Sequence, residues 1–290
     1  MSGAEVVREQ TRTANEAVEK SARFRMAAFY VVVTLLMAGV TVTFWKVNLF
    51  PFLAWLPDEF LNNFYASQLE FDHITSGDFS SHTIHYLAIA ATHWSFIFGL
   101  ALQFKNPLTK IAPMWQVTAG IAVVTLTYPF IEVSRIPPPI FGVIVFALIA
   151  GLLHPARIFR TPIRFRNKTL LLLAAVAAVP TVFMIVGQVG LQASGVDADP
   201  HWQGLHYSFM SEYGLVLLLV LALGASSLPG WRYSTWTGAF LTAMLGVGFV
   251  SHPESASSQG TLWGLTMVVF SLLWLLLGER RHRSQGSSEA

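Results

Sequence analysis

Apolar stretches of about 20 residues, each long enough to cross a roughly 30 Å hydrocarbon layer as a helix, recur along almost the whole chain. The pattern predicts helical spans at 26–45, 83–104, 112–133, 138–153, 169–192, 207–225, 234–251 and 260–277. Turn chemistry separates them: Lys105-Asn106-Pro107, the prolines Pro137 to Pro139, His154-Pro155, Leu228-Pro229-Gly230 and His252-Pro253. The fold expected is therefore all-α, a polytopic integral membrane bundle of about eight transmembrane helices. Residues 1–25 would form a cytoplasmic segment, 26–277 the bundle and 278–290 a disordered cytoplasmic tail.

Composition agrees, since 53% of residues are apolar and 12% charged, far from the usage of water-soluble domains. The polar lead of about 25 residues carries Glu5, Glu9, Glu16 and Glu19, and no small-residue cleavage site follows the first span, which reads as a retained helix. Placing the N-terminus in the cytoplasm puts every Lys and Arg on the inner face except Lys46 and Arg135. An odd number of spans would scatter the later basic clusters to both sides, so both termini are expected inside, in a plasma membrane or cell inner membrane. Basic residues beside inner helix ends then serve topology and contact with membrane lipid, not nucleic acid.

Two outer connections are long. Residues 46–82 are aromatic and acidic, and the spacing of Phe52, Trp55, Leu56, Phe60, Leu61 and Phe64 suits a helix lying in the interface. The other, 193–206, holds Gly, two Asp, Pro and His.

Of nine histidines, all but His154 and His282 fall in outer loops or outer halves of spans. His82, His85 and His93 lie within about 60° of one another on a helix, with His93 roughly 12 Å deeper than His85, so a single ion cannot hold all three. Neutral imidazoles with one or two carboxylates suit Cu, Fe or Zn. The chain has no cysteine, which excludes thiolate ligands, iron–sulfur clusters and disulfides. It also lacks a Gly-rich phosphate loop, a His-Glu-x-x-His motif and a Gly-x-Ser-x-Gly elbow.

Ser81-x-x-x-His85 resembles the opening motif of the zinc-dependent ceramidase and adiponectin-receptor superfamily, whose late His-x-x-x-His has no counterpart here. Phe183-Met-Ile-Val-Gly-Gln-Val-Gly-Leu-Gln192 is similar to the Phe-Met-Ile-x-Pro-Asn-Val-Gly-Leu-Asn of the C subunit of copper membrane monooxygenases. His206-Tyr-Ser-Phe-Met-Ser-Glu212 is similar to that family's His-x-Phe-Trp-Phe-Met-Glu, and Asp58-Glu59-Phe60 to its Pro-Glu-Phe. The resemblance covers about 30 residues and implies a copper enzyme. The family's Asp-x3-His-x12-His ligand set is missing, and Gln192 stands where a ligand Asn would be.

The residues together point to a metal-dependent oxidoreductase acting on a small apolar or lipid-derived substrate near the outer face. His82, His85, His206 and His252 are the expected metal ligands, with His201 as substitute, and Asp78, Asp199 and Glu212 orient ligands or move protons. The alternatives are a zinc hydrolase, a b-type haem electron-transfer protein using His85 or His93, and a non-enzymatic transporter or membrane subunit working with partner subunits.

Overall fold

A computed structural model describes residues 3–43, 45, 48–49, 79–124, 126, 138–165, 167–194, 205–255 and 257–286, without the side chains at 3–14, 43, 79–82, 138–140 and 283–286. Eight α-helices make up this part of the chain: α1 (Gly3–Thr43), α2 (Phe79–Ala101), α3 (Ile111–Val124), α4 (Pro138–Leu153), α5 (Lys168–Ala193), α6 (His206–Ala225), α7 (Trp231–Ser251) and α8 (Thr261–Gly286). The one β feature among the described residues is an isolated bridge between Phe165 and Ser226. In lipid every backbone N–H and C=O must find its partner inside the chain, and the helix does this locally. Five helices contain stretches long and apolar enough to cross a membrane: Asn15–Val42, Thr83–Phe104, Lys168–Ala193, His206–Ala225 and Thr261–His282; two shorter apolar helices are Ile111–Val124 and Phe141–Leu153. The protein is an all-helical membrane protein.

α6 forms the centre, packed against α2, α3, α5 and α7. Two thirds of its apolar stretch is buried (67%), against 17% for α5 and 22% for α8. The peripheral helices turn bulky side chains outward, among them Leu172, Val176 and Phe183 on α5 and Leu262, Val269 and Leu276 on α8. So continuous an apolar exterior needs hydrocarbon around it. Inside, polar tips are satisfied by backbone: the Tyr213 hydroxyl donates to the Leu241 carbonyl, and Trp274 Nε1 donates to Thr235 O at 3.1 Å.

α7 and α8 approach closely enough for backbone to touch backbone. A Cβ on Gly246 would stand 2.7 Å from the carbonyl oxygen of Gly264, and one on Gly264 would stand 2.6 Å from that of Gly246. Small residues permit such close packing where no water is expelled to drive helices together.

One end of the bundle is laced by basic side chains and inter-helix turns. Arg25 of α1 donates to the carbonyls of Leu152, Leu153 and His154, closing the C-terminus of α4. His154 Nε2 meets Gln103 Oε1 at 3.2 Å, and Gln103 Nε2 donates to Lys110 O. Ala112 N donates to Pro229 O, Ser227 N to Arg164 O, and Arg281 donates to the carbonyls of Gly224 and Ser226. Arg232 and Glu279 form a two-pronged pair joining α7 to α8. The turns expected on the inner face are thus gathered at one end.

The helices depart from expectation at two places. α1 starts far upstream of residue 26, because its lead is rich in Ala, Glu, Lys and Arg, strong helix formers, and pairs Arg23 with Glu19 one turn apart. Its 41 residues would span about 60 Å, twice the hydrocarbon thickness. The segment 278–286, expected to be disordered, continues α8, held by Glu279 and Arg281. The third helix is described over Ile111–Val124, and most of the stretch expected to complete it, 125–133, lies outside the described residues.

Candidate functional site

The opposite end of the bundle carries a buried polar cluster drawn from α2, α5, α6 and the turn after α7. His85 lies in the second turn of α2 and His206 opens α6, and both are buried. Their rings stack with centroids 4.7 Å apart and planes inclined by 28°. Tyr207 stands edge-on to His85, and Tyr86 edge-on to His206. Two imidazoles from separate helices, 121 positions apart in the chain, therefore meet in the buried interior.

His206 is delivered there by the backbone before it. Leu205 adopts a left-handed conformation (φ 59°), rare for a branched apolar side chain, and is itself buried. The cost is of order 1–3 kcal/mol, and surrounding packing must hold it. Leu205, at the N-cap position of α6, has no side-chain oxygen or nitrogen with which to cap it. Gln192 from the end of α5 does so instead, its Oε1 accepting from Ser208 N at 3.3 Å, which answers one of the N–H groups that a helix start leaves open.

A second glutamine completes the other side. Gln188 sits one turn before Gln192, so both fall on the buried face of an otherwise lipid-exposed helix. Gln188 Oε1 accepts from the hydroxyl of Ser257 at 2.9 Å, and Ser257 Oγ lies 2.7 Å from His85 Nε2. Since the single hydroxyl proton goes to Gln188, Ser257 accepts from His85 Nε2–H. Neutral His85 then carries its lone pair on Nδ1. Ser257, Gln188, His85 and His206 are each at most 3% exposed. Ser208 Oγ is buried without a hydrogen-bond partner among the described residues.

The remaining expected site residues are placed as follows. His93 lies two turns below His85 on α2, half-buried. Glu212 is half-buried on α6, about 120° round the helix from His206. His252 ends α7 and pairs its Nδ1 with Ser251 Oγ at 2.9 Å, one turn beyond Gly248, whose face rests on Ile84. Asp78, Asp199 and His201 lie outside the described residues, as does the side chain of His82. Among the described residues no three of His, Asp and Glu gather closely enough to hold an ion, so the structure brings together His85 and His206 and leaves His93, Glu212 and His252 apart from a shared centre.

Gln188, Ser257 and Ser208 were not singled out from the sequence. For Gln188 and Gln192 a signal existed: two amides one turn apart in a 26-residue apolar helix are costly against lipid and are expected to face inward. Ser257 gave none, because it lies in a turn where serine is ordinary.

Compared with known proteins, the chain matches no protein-family model, no curated protein and no solved structure.

Proposed function

We propose that the protein is a multi-pass membrane metalloprotein in which His85 and His206 hold a transition metal ion, with redox chemistry on a small apolar or lipid-derived substrate. The observation that carries this reading is the approach of two buried imidazoles from different helices, one with its far nitrogen engaged by Ser257. A metal-ligating histidine characteristically donates its other N–H to an oxygen acceptor, which fixes the tautomer and raises the basicity of the ligating nitrogen. Here the sequence Gln188, Ser257, His85 supplies that arrangement and leaves Nδ1 as the ligating atom.

Two imidazoles do not complete a site; Asp78 and His82, near the start of α2 in sequence, and Asp199 and His201, shortly before α6 in sequence, are the residues offered to complete it. When bound, a copper or iron ion at such a nitrogen and oxygen donor set supplies one-electron chemistry, and zinc supplies Lewis acidity. The protein's own part is to exclude water, fix the ring orientations and present an apolar substrate path. The segments 183–192 and 206–212, which resemble the copper monooxygenase C subunit, pack together through Gln192 and Ser208, in keeping with the redox version. A haem shared between His85 and His206 is disfavoured, because rings in face contact leave no room for a macrocycle between them.

All eight helices are read as spans with both termini cytoplasmic and the histidine cluster on the outer side. The basic end built from Arg25, Arg164 and Arg281 favours this orientation.

The test is elemental analysis with an absorption spectrum on detergent-purified protein, His85→Ala and His206→Ala. Wild type is expected to retain near-stoichiometric copper or iron and each variant to lose it while staying monodisperse. Zinc alone, without a visible band, would favour hydrolysis. Equal metal content in all three proteins would remove the metal site.

A further inference from the structure

At the basic end, away from the histidine cluster, α1, α4 and the turn after α4 enclose a cavity of about 330 Å³ lined by Arg25, Gly151, Leu152, Arg157, Phe159 and Arg160. Three of the six lining residues are arginines. Among the described residues none of the three forms an ion pair with a carboxylate; the pairs present are Arg23 with Glu19 and Arg232 with Glu279. Arg25 is engaged only by neutral carbonyls at the end of α4. Three like charges around one cavity without a counter-charge repel one another, and a bound anion relieves the repulsion. Guanidinium groups bind phosphate oxygens in a two-pronged way that ammonium groups cannot.

The rest of the wall identifies what carries the phosphate. Two of the lining residues are apolar, Leu152 at 63% exposed and Phe159 at 46% exposed. These apolar side chains border the cavity where the lipid-facing exterior of α1 and α4 ends. A free phosphate ion would have no use for that border, whereas the acyl chains of a phospholipid would lie along it. Arg157 reaches its place through a left-handed backbone conformation (φ 51°), with its N–H donating to His154 O and its own C=O accepting from Arg160 N, so the turn is pinned at both ends.

We infer that this cavity is a specific site for an anionic phospholipid, its phosphate held by Arg25, Arg157 and Arg160 and its chains running along α1 and α4. The site is independent of the proposed metal centre.

The measurement is native mass spectrometry of the full chain in mild detergent, titrated with phosphatidylglycerol, phosphatidylcholine or inorganic phosphate. The variant is Arg157→Gln with Arg160→Gln, which removes two charges and spares Arg25, the cap of α4. Lys105→Gln with Lys110→Gln removes two charges at the same end but outside the cavity. Phosphatidylglycerol is expected to bind wild type and the lysine variant alike, and the arginine variant roughly 10- to 30-fold more weakly. Equal binding of phosphatidylcholine to wild type, or an equal loss in the lysine variant, would overturn a specific anionic site. Competition by inorganic phosphate at the same concentration as lipid would overturn the assignment to a lipid. Unchanged binding by the arginine variant would overturn the cavity itself.

Discussion

The hydroxyl of Ser257 is the smallest group on which the candidate site turns. From the turn after α7 it joins His85 of α2 to Gln188 of α5 and decides which imidazole nitrogen carries the lone pair. Ser257→Ala is expected to lower metal affinity by 10- to 100-fold, the usual effect of removing a group that orients a ligand, while the purified protein stays folded. Competition with a chelator of known affinity reads this directly, and an unchanged affinity would mean that the tautomer is set elsewhere. At the other end, His154 is fully buried, and desolvation, helped by the nearby Arg25 cation, lowers its pKa from 6.5 to about 4. A histidine held neutral in the folded state takes up its proton more readily when unfolded. Its contribution to stability is therefore complete above pH 6.5 and is lost as pH falls from there toward 4. Thermal unfolding in detergent should show a falling midpoint between pH 6.5 and 4.5, and His154→Gln should flatten that dependence.

Among the helices, glycine separates contacts that matter from those that do not. Gly246 and Gly264 hold α7 and α8 at backbone distance, whereas Gly187 on α5 has nothing within 4 Å of where a Cβ would stand. Gly246→Leu should force the two helices apart at a cost of about 1–3 kcal/mol. Gly187→Ala should be neutral or stabilise by about 0.5–1 kcal/mol through helix propensity. Unfolding midpoints of the two variants against wild type check both signs in one experiment. The same helices mark what could be read in advance. The apolar helices were legible because lipid forces the backbone to bond within each segment, and their ends were legible where Pro and Gly punctuate them. The packing partners were not, because the apolar residues of α2 and α6 form no one-sided stripe pointing to a neighbour. The union of His85 with His206 was an expectation from their shared depth. The link through Gln188 and Ser257, 69 residues apart, exists only once α5 and the turn after α7 are in place. Arg25 was read as a marker of sidedness, and its role as the cap of α4 depends on tertiary structure in the same way.

At the scale of the molecule, the two ends differ in kind. One is a mesh of basic side chains and tight turns, the other a buried polar cluster around His85 and His206. The absence of native cysteine makes the sidedness easy to measure. Asn106→Cys and Ser227→Cys, both in turns of the basic end, should react with a membrane-impermeant maleimide only after the cytoplasmic face is opened, and Ser258→Cys, beyond α7, should react in intact cells. Labelling of all three from the same side would refute an up-and-down bundle. The connection between Arg25 and Leu152 also constrains how the chain is assembled. The guanidinium is synthesised 127 residues before the carbonyl that it caps. At 5–20 residues per second, that interval is about 6–25 s. Throughout it the first helix rests in the bilayer without this tether, so its seating must await emergence of the fourth, and a nascent chain halted after α3 would carry its leading helix unfastened.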